Sequence, residues 1–122
     1  MMPGRAAIFV ATEPLDLRRS FDGLAAVARD VMGQDPLSGA LFLFFNRAHD
    51  RVKVLWWDRS GYCILYKRLE RGAFRVPRAM SPNGTHVTID ASELAKILEG
   101  IALPPSQQRV RGQHALAAAA LL

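Results

Sequence analysis

Apolar and polar positions along this chain follow two rhythms, one of period two and one of period three to four. The run Ala6-Ala7-Ile8-Phe9-Val10-Ala11 is apolar throughout and is closed by Glu13-Pro14. The residue before a proline avoids helical geometry, so this run predicts a short buried strand. Phe21, Leu24, Ala25, Ala28 and Val31 then recur at spacings of three and four and predict the apolar stripe of a helix. Asp16 or Ser20 is placed to cap it, and Gly33 to end it in left-handed geometry.

Asp35-Pro36-Leu37-Ser38-Gly39 is dense in turn residues. Leu41-Phe42-Leu43-Phe44-Phe45 follows, too apolar on both faces for an edge, and predicts a central strand. After the polar loop of residues 46–50, basic and apolar positions alternate in Arg51-Val52-Lys53-Val54-Leu55-Trp56-Trp57, which predicts one wet face and one dry face. Asp58-Arg59-Ser60-Gly61 turns the chain into a further strand over residues 62–69. A Glu70-Arg71-Gly72 turn and an extended Phe74-Arg75-Val76-Pro77 come next. Connections this short join antiparallel neighbours, so the middle of the chain predicts a meander.

Residues 79–85 read as a loop and residues 85–89 as one more alternating strand. Asp90-Ala91-Ser92-Glu93 has capping-box spacing, Leu94, Ile97 and Leu98 give the helix that follows an apolar face, and Gly100 ends it. Pro104-Pro105 stops any continuation. The expected fold is α+β, an antiparallel meander sheet of about four to five strands with two helices packed on it. Residues 1–104 make one domain in this reading, and residues 105–122 a flexible polar linker with an alanine-rich end.

Composition narrows the chemistry. The 122 residues include 16 Lys+Arg against 11 Asp+Glu, a formal charge of +5. Such an excess favours encounters with polyanions, nucleic acid first among them. Cys63 is the only cysteine, so an internal disulfide is excluded. With His49, His86 and His114 scattered, no zinc-ligand spacing arises. No metal or cofactor is expected. The apolar runs are too short for a membrane helix and no secretion signal is visible, which predicts a cytoplasmic protein with no membrane partner.

Catalytic signatures are missing too. There is no phosphate loop, no Gly-x-Gly-x-x-Gly turn and no nucleophile elbow. Asp16, Asp22, Asp50, Asp58, Glu70, Asp90 and Glu93 are spread out, as caps and turn residues are, rather than clustered for two metals. No catalytic residue is assigned, and the expectation is a non-enzyme.

Function is sought instead where cations and aromatics interleave. Arg51, Lys53 and Trp57 share one parity of their strand, and Tyr62, Tyr66 and Arg68 share a parity on the next. If both sets face outward, guanidinium, ammonium and flat rings lie together and can neutralise phosphates and stack on bases. The nucleic-acid-binding candidates are Arg51, Lys53, Trp57, Tyr66, Lys67, Arg68 and Arg71. Arg18, Arg19, Arg47 and Arg59 form a secondary set. Arg18 and Arg19 stand at a helix start, where cations are disfavoured, which points to a ligand or a carboxylate partner such as Asp22.

Several stretches also carry a family likeness. Residues 13–24, Glu13-Pro14-Leu15-Asp16-Leu17-Arg18-Arg19-Ser20-Phe21-Asp22-Gly23-Leu24, are followed in order by three others: residues 36–44, residues 51–62 with Trp56-Trp57-Asp58-Arg59-Ser60-Gly61-Tyr62, and residues 66–74. Together they resemble the TnpB (second open reading frame) accessory proteins of the IS66 insertion-sequence family, over residues 8–103. Ala73 and Val76 depart from it, standing where bulkier or more basic residues are common. The resemblance implies an accessory protein of transposition, encoded beside a separate DDE-type transposase that performs the catalysis. Expected partners are DNA at the element ends, the transposase of the same element and a possible second copy of the chain. The competing expectation is a protein–protein adaptor that docks on the transposase or on itself without DNA contact. Its motive is that Trp56-Trp57 and the Leu94, Ile97, Leu98 helix exceed what one small core can hide.

Overall fold

A computed structural model describes residues 6–76 and 84–100. The element order is β1 (Ile8–Ala11), α1 (Phe21–Asp30), β2 (Leu41–Phe45), β3 (Arg51–Asp58), β4 (Gly61–Arg68), β5 (His86–Ile89) and α2 (Ala91–Glu99). All five strands join one sheet in the order β4-β3-β2-β1-β5. The expectations for Pro77, the loop beyond it and the chain after Gly100 lie outside the described residues.

The meander is present, with β2–β3 and β3–β4 antiparallel as their short connections require. The sheet as a whole is mixed, which corrects the purely antiparallel expectation. β1 runs parallel to β2, with Ile8 opposite Leu41 and Val10 opposite Leu43. The connection between them is long enough to hold α1, and a parallel pair needs such a crossover. β5 then adds antiparallel to the other side of β1.

Because β2 is central and covered on both faces, all five of its residues are buried. Alternation along the strands splits the core in two. Val10, Leu43, Phe45, Val52 and Val54 pack with Leu94, Ile97 and Leu98 of α2. Phe42, Phe44 and Leu55 pack with Leu24, Ala25, Val27 and Ala28 of α1 on the opposite side. The α2 stripe is therefore hidden, and that helix offers no surplus apolar face to a partner.

Helix α2 starts as its spacing predicts. Asp90 accepts a hydrogen bond from the Glu93 N–H at 2.8 Å, and the Glu93 carboxylate accepts from the Asp90 N–H at 3.3 Å. The first of these bonds, and then one from the Ser92 hydroxyl at 2.8 Å, hold the Asp90 carboxyl below its ordinary range. Gly100, at φ 80°, closes the helix, and Gly33, at φ 66°, follows α1. Two expectations for α1 need correcting. Ser20 sits at its N-cap position but its side chain makes no capping bond. Phe21 and Val31, at the two ends of the stripe, are 44% and 55% exposed.

Candidate nucleic-acid interface

The β3–β4 register decides which of the predicted residues meet. Arg51 lies opposite Arg68, Lys53 opposite Tyr66, Leu55 opposite Ile64 and Trp57 opposite Tyr62. Opposite residues share a face. Leu55 and Ile64 pack against the α1 side, so these four pairs all look that way. Helix α1 covers the middle of the row and leaves the Arg51–Arg68 end open.

At that open end the side chains are tied to one another. Lys53 Nζ lies 4.9 Å from the centroid of the Tyr66 ring and donates to the Arg19 carbonyl at 2.8 Å. The Arg51 guanidinium donates to the Tyr66 hydroxyl at 3.2 Å. Tyr66 is nonetheless 50% exposed. Two cations therefore flank an open aromatic ring, an arrangement suited to phosphate contact beside a stacking surface.

Next to this end is a cleft of about 760 Å³, lined by Arg18, Arg47, Arg51 and Tyr66 together with Asp16 and Asp50. Two loops shape it. The Asn46 side chain accepts from the Asp50 and Arg51 N–H groups at 3.1 and 3.0 Å and donates to the Asp50 carboxylate at 2.6 Å, bracing a loop in which His49 has φ 58°. The Leu15 N–H donates to the Phe45 carbonyl at 2.8 Å and anchors the other.

The charges in the cleft are not equivalent. Arg18 grips Asp16, its Nε and Nη2 donating to one carboxylate oxygen at 2.9 and 2.6 Å. Hydrogen bonds from the Arg18 side chain, then from its backbone, pull the Asp16 carboxyl down to about 2, and the pairing raises Arg18. Asp16, not Asp22, is thus the carboxylate that answers the misplaced helix-start arginine. Arg68 is paired with Glu70 at 3.1 Å. Arg47 and Arg51 have no carboxylate partner among the described residues.

Other candidates fall away from this cluster. Lys67 faces the α2 side, opposite Val52, and its ammonium donates to the Leu98 carbonyl at 2.6 Å near the end of α2. A cation there satisfies a terminal helix carbonyl. Adjacent strand residues must face opposite ways, so Lys67 and Arg68 cannot serve one surface. Trp57 is on the right face but sits four residues along β3 from Lys53, roughly 13 Å away. Its ring meets Tyr62 edge-on, with centroids 5.1 Å apart. Arg59 stands in the hairpin turn beyond it at φ 54°. Arg71 is exposed in the turn after β4, and Arg19 reaches the site through its carbonyl. Asn46 is not among the residues the sequence singles out, although a short amide side chain opening a tight polar loop is a known local brace.

Fold and site together define a small α+β protein that gathers cations and a tyrosine at one end of a mixed sheet. Among the described residues no three His, Cys, Asp or Glu side chains converge as a metal site would need, and no helix is long and apolar enough to cross a membrane. The chain belongs to the IS66 Orf2-like family, matching the family described as "IS66 Orf2 like protein" over residues 6–108. It is 37% identical over 94 residues to the uncharacterized protein y4hO of Sinorhizobium fredii (strain NBRC 101917 / NGR234), covering 77% of this chain and 79% of that one. It is 40% identical over 70 residues to the uncharacterized protein y4jC of the same organism, covering 57% of this chain and 60% of that one. No solved structure matches it. The family places the chain in insertion-sequence transposition as an accessory protein.

Proposed function

We propose that the chain binds DNA without cutting it and assists the separate transposase of its element from the cytoplasm. The observation that carries this reading is the end-of-sheet cluster: Arg51, Lys53, Tyr66 and Arg68 on one face, with Arg47 beside them on the cleft. Membership of the family supplies the polyanion, since transposition acts on DNA ends. Each phosphate neutralised releases condensed counterions, so affinity falls with salt at a log–log slope near −0.9 per contact on duplex DNA.

The test is a fluorescence anisotropy titration of element-end duplex across a range of salt. Replacing Arg47 and Arg51 by Gln should weaken binding and flatten the slope by about 2. A slope near zero, or one the double variant leaves unchanged, rejects the reading.

One observation favours the adaptor reading instead. Phe21, Val31 and Leu37 are 44%, 55% and 53% exposed, each a large apolar side chain that can serve as an anchor in a protein contact. Co-purification with the transposase that Phe21→Ser abolishes and Arg51→Gln spares would select it. Co-purification lost with Arg51→Gln alone would discard it.

A further inference from the structure

Strand β4 is the longer of the two edges of the sheet. It spans eight residues, Gly61–Arg68, and among the described residues pairs only with β3. Native proteins protect such edges with charges, prolines or bulges. Its central run, Tyr62-Cys63-Ile64-Leu65-Tyr66, has none of these, and four of its five residues are partly buried with Tyr66 exposed. The cations Lys67 and Arg68 are confined to one end.

Hairpin geometry says which main-chain groups are open. The Arg59-Ser60 connection is a two-residue turn closed by Asp58 opposite Gly61. Hydrogen-bonded and non-hydrogen-bonded pairs alternate from that closing pair. The N–H and C=O groups of Tyr62, Ile64, Tyr66 and Arg68 therefore point away from β3. They form a regular ladder of donors and acceptors awaiting another strand.

We infer that this edge pairs with the β4 of a second copy, antiparallel, about a two-fold axis through Ile64. The sequence is self-complementary in that register. Ile64 meets Ile64, Tyr62 meets Tyr66 twice over, and Cys63 meets Leu65, so apolar and aromatic side chains face their like. Lys67 falls opposite Gly61 and Arg68 opposite Ser60, so no two cations are opposed. Registers centred on Lys67 or Arg68 would set like charges face to face. Roughly six to eight main-chain hydrogen bonds can form across the junction. Opposite residues keep the same face, so the two five-stranded sheets become one, and both Arg51–Tyr66 ends appear on the same side.

The dimer needs no DNA and is tested without it. Sedimentation equilibrium of the full chain should give twice the monomer mass. Ile64→Lys sets two ammonium groups against each other at the axis and should return the mass to that of a monomer. Ile64 also touches the α1-side core, so a gentler variant accompanies it: Ile64→Cys in a Cys63→Ser background. Across an antiparallel pair the two new thiols fall within disulfide reach, and mild oxidation should convert the protein to covalent dimer. A monomer at every concentration overturns the inference. So does a dimer in which, with Cys63→Ser in both, Leu65→Cys cross-links and Ile64→Cys does not, and so does a monomer that accepts only a strand of the transposase. None of these outcomes depends on whether the basic face binds DNA.

Discussion

Lys67 and Arg68 are neighbours in sequence with opposite duties, and strand parity separates them. Lys67 is a structural cation whose hydrogen bond to the Leu98 carbonyl joins the sheet edge to α2. Lys67→Met keeps the aliphatic stem and removes the donor. It should cost about 1–2 kcal/mol in urea denaturation while leaving the salt slope of DNA binding unchanged. Phe42→Ala acts on the other side of the sheet, where the ring is fully buried and stacks on Phe9 at 5.6 Å. That truncation should cost roughly 3–5 kcal/mol, read from the shift in denaturation midpoint. The Asp16–Arg18 pair gives a pH prediction. The folded pKa, about 2, lies below the ordinary value of 3.8, so the pair's contribution is complete above the unfolded value and is lost as pH falls from there towards 2. An NMR titration of the Asp16 carboxyl should show this low midpoint, and Arg18→Ala should raise it only part of the way to the ordinary range, because the N–H of residue 18 still donates to Asp16. A wild-type midpoint already in that range would mean the contact does not form in solution.

At the scale of elements, legibility in the sequence depends on how local the cause is. The capping box of α2 is written within four residues, and the β2–β3–β4 meander follows from loops too short for any other connection. The parallel partnership of β1 with β2 has no local signature, because the pairing is set by the way α1 folds back over the sheet. The α1 stripe is legible in its middle, where Leu24, Ala25 and Ala28 are buried, and misleading at its ends, which overhang the sheet. Turn geometry supplies a prediction here. Arg59 holds left-handed backbone at φ 54°, which an unbranched residue tolerates at a cost and a β-branched one resists. Arg59→Val should therefore be less stable than Arg59→Gly by about 1–2 kcal/mol in thermal unfolding. Asp90→Ala removes one half of the capping box, and the melting temperature should fall with it.

For the whole molecule, the excess of cations matters less than where the sheet puts them. A charge of +5 names a class of partner, while the β3–β4 register and the Asn46-braced loop select Arg47, Arg51, Lys53 and Arg68 from the 16 basic residues. The alternation of basic and apolar residues along β3 is enough to mark that face. The cleft has no such mark, because it joins residues 14–18 to residues 46–51, segments far apart in the chain. The strand order also bears on how the protein is made. Among the described elements β5 and α2 come last, and β5 pairs with β1, the first of them. Before they are made, α1 can already shelter one side of a four-stranded sheet, while on the other only Leu69 and Phe74 are at hand to cover Val10, Leu43, Phe45 and Val54. That oily surface is shut away from water only when α2 closes over it.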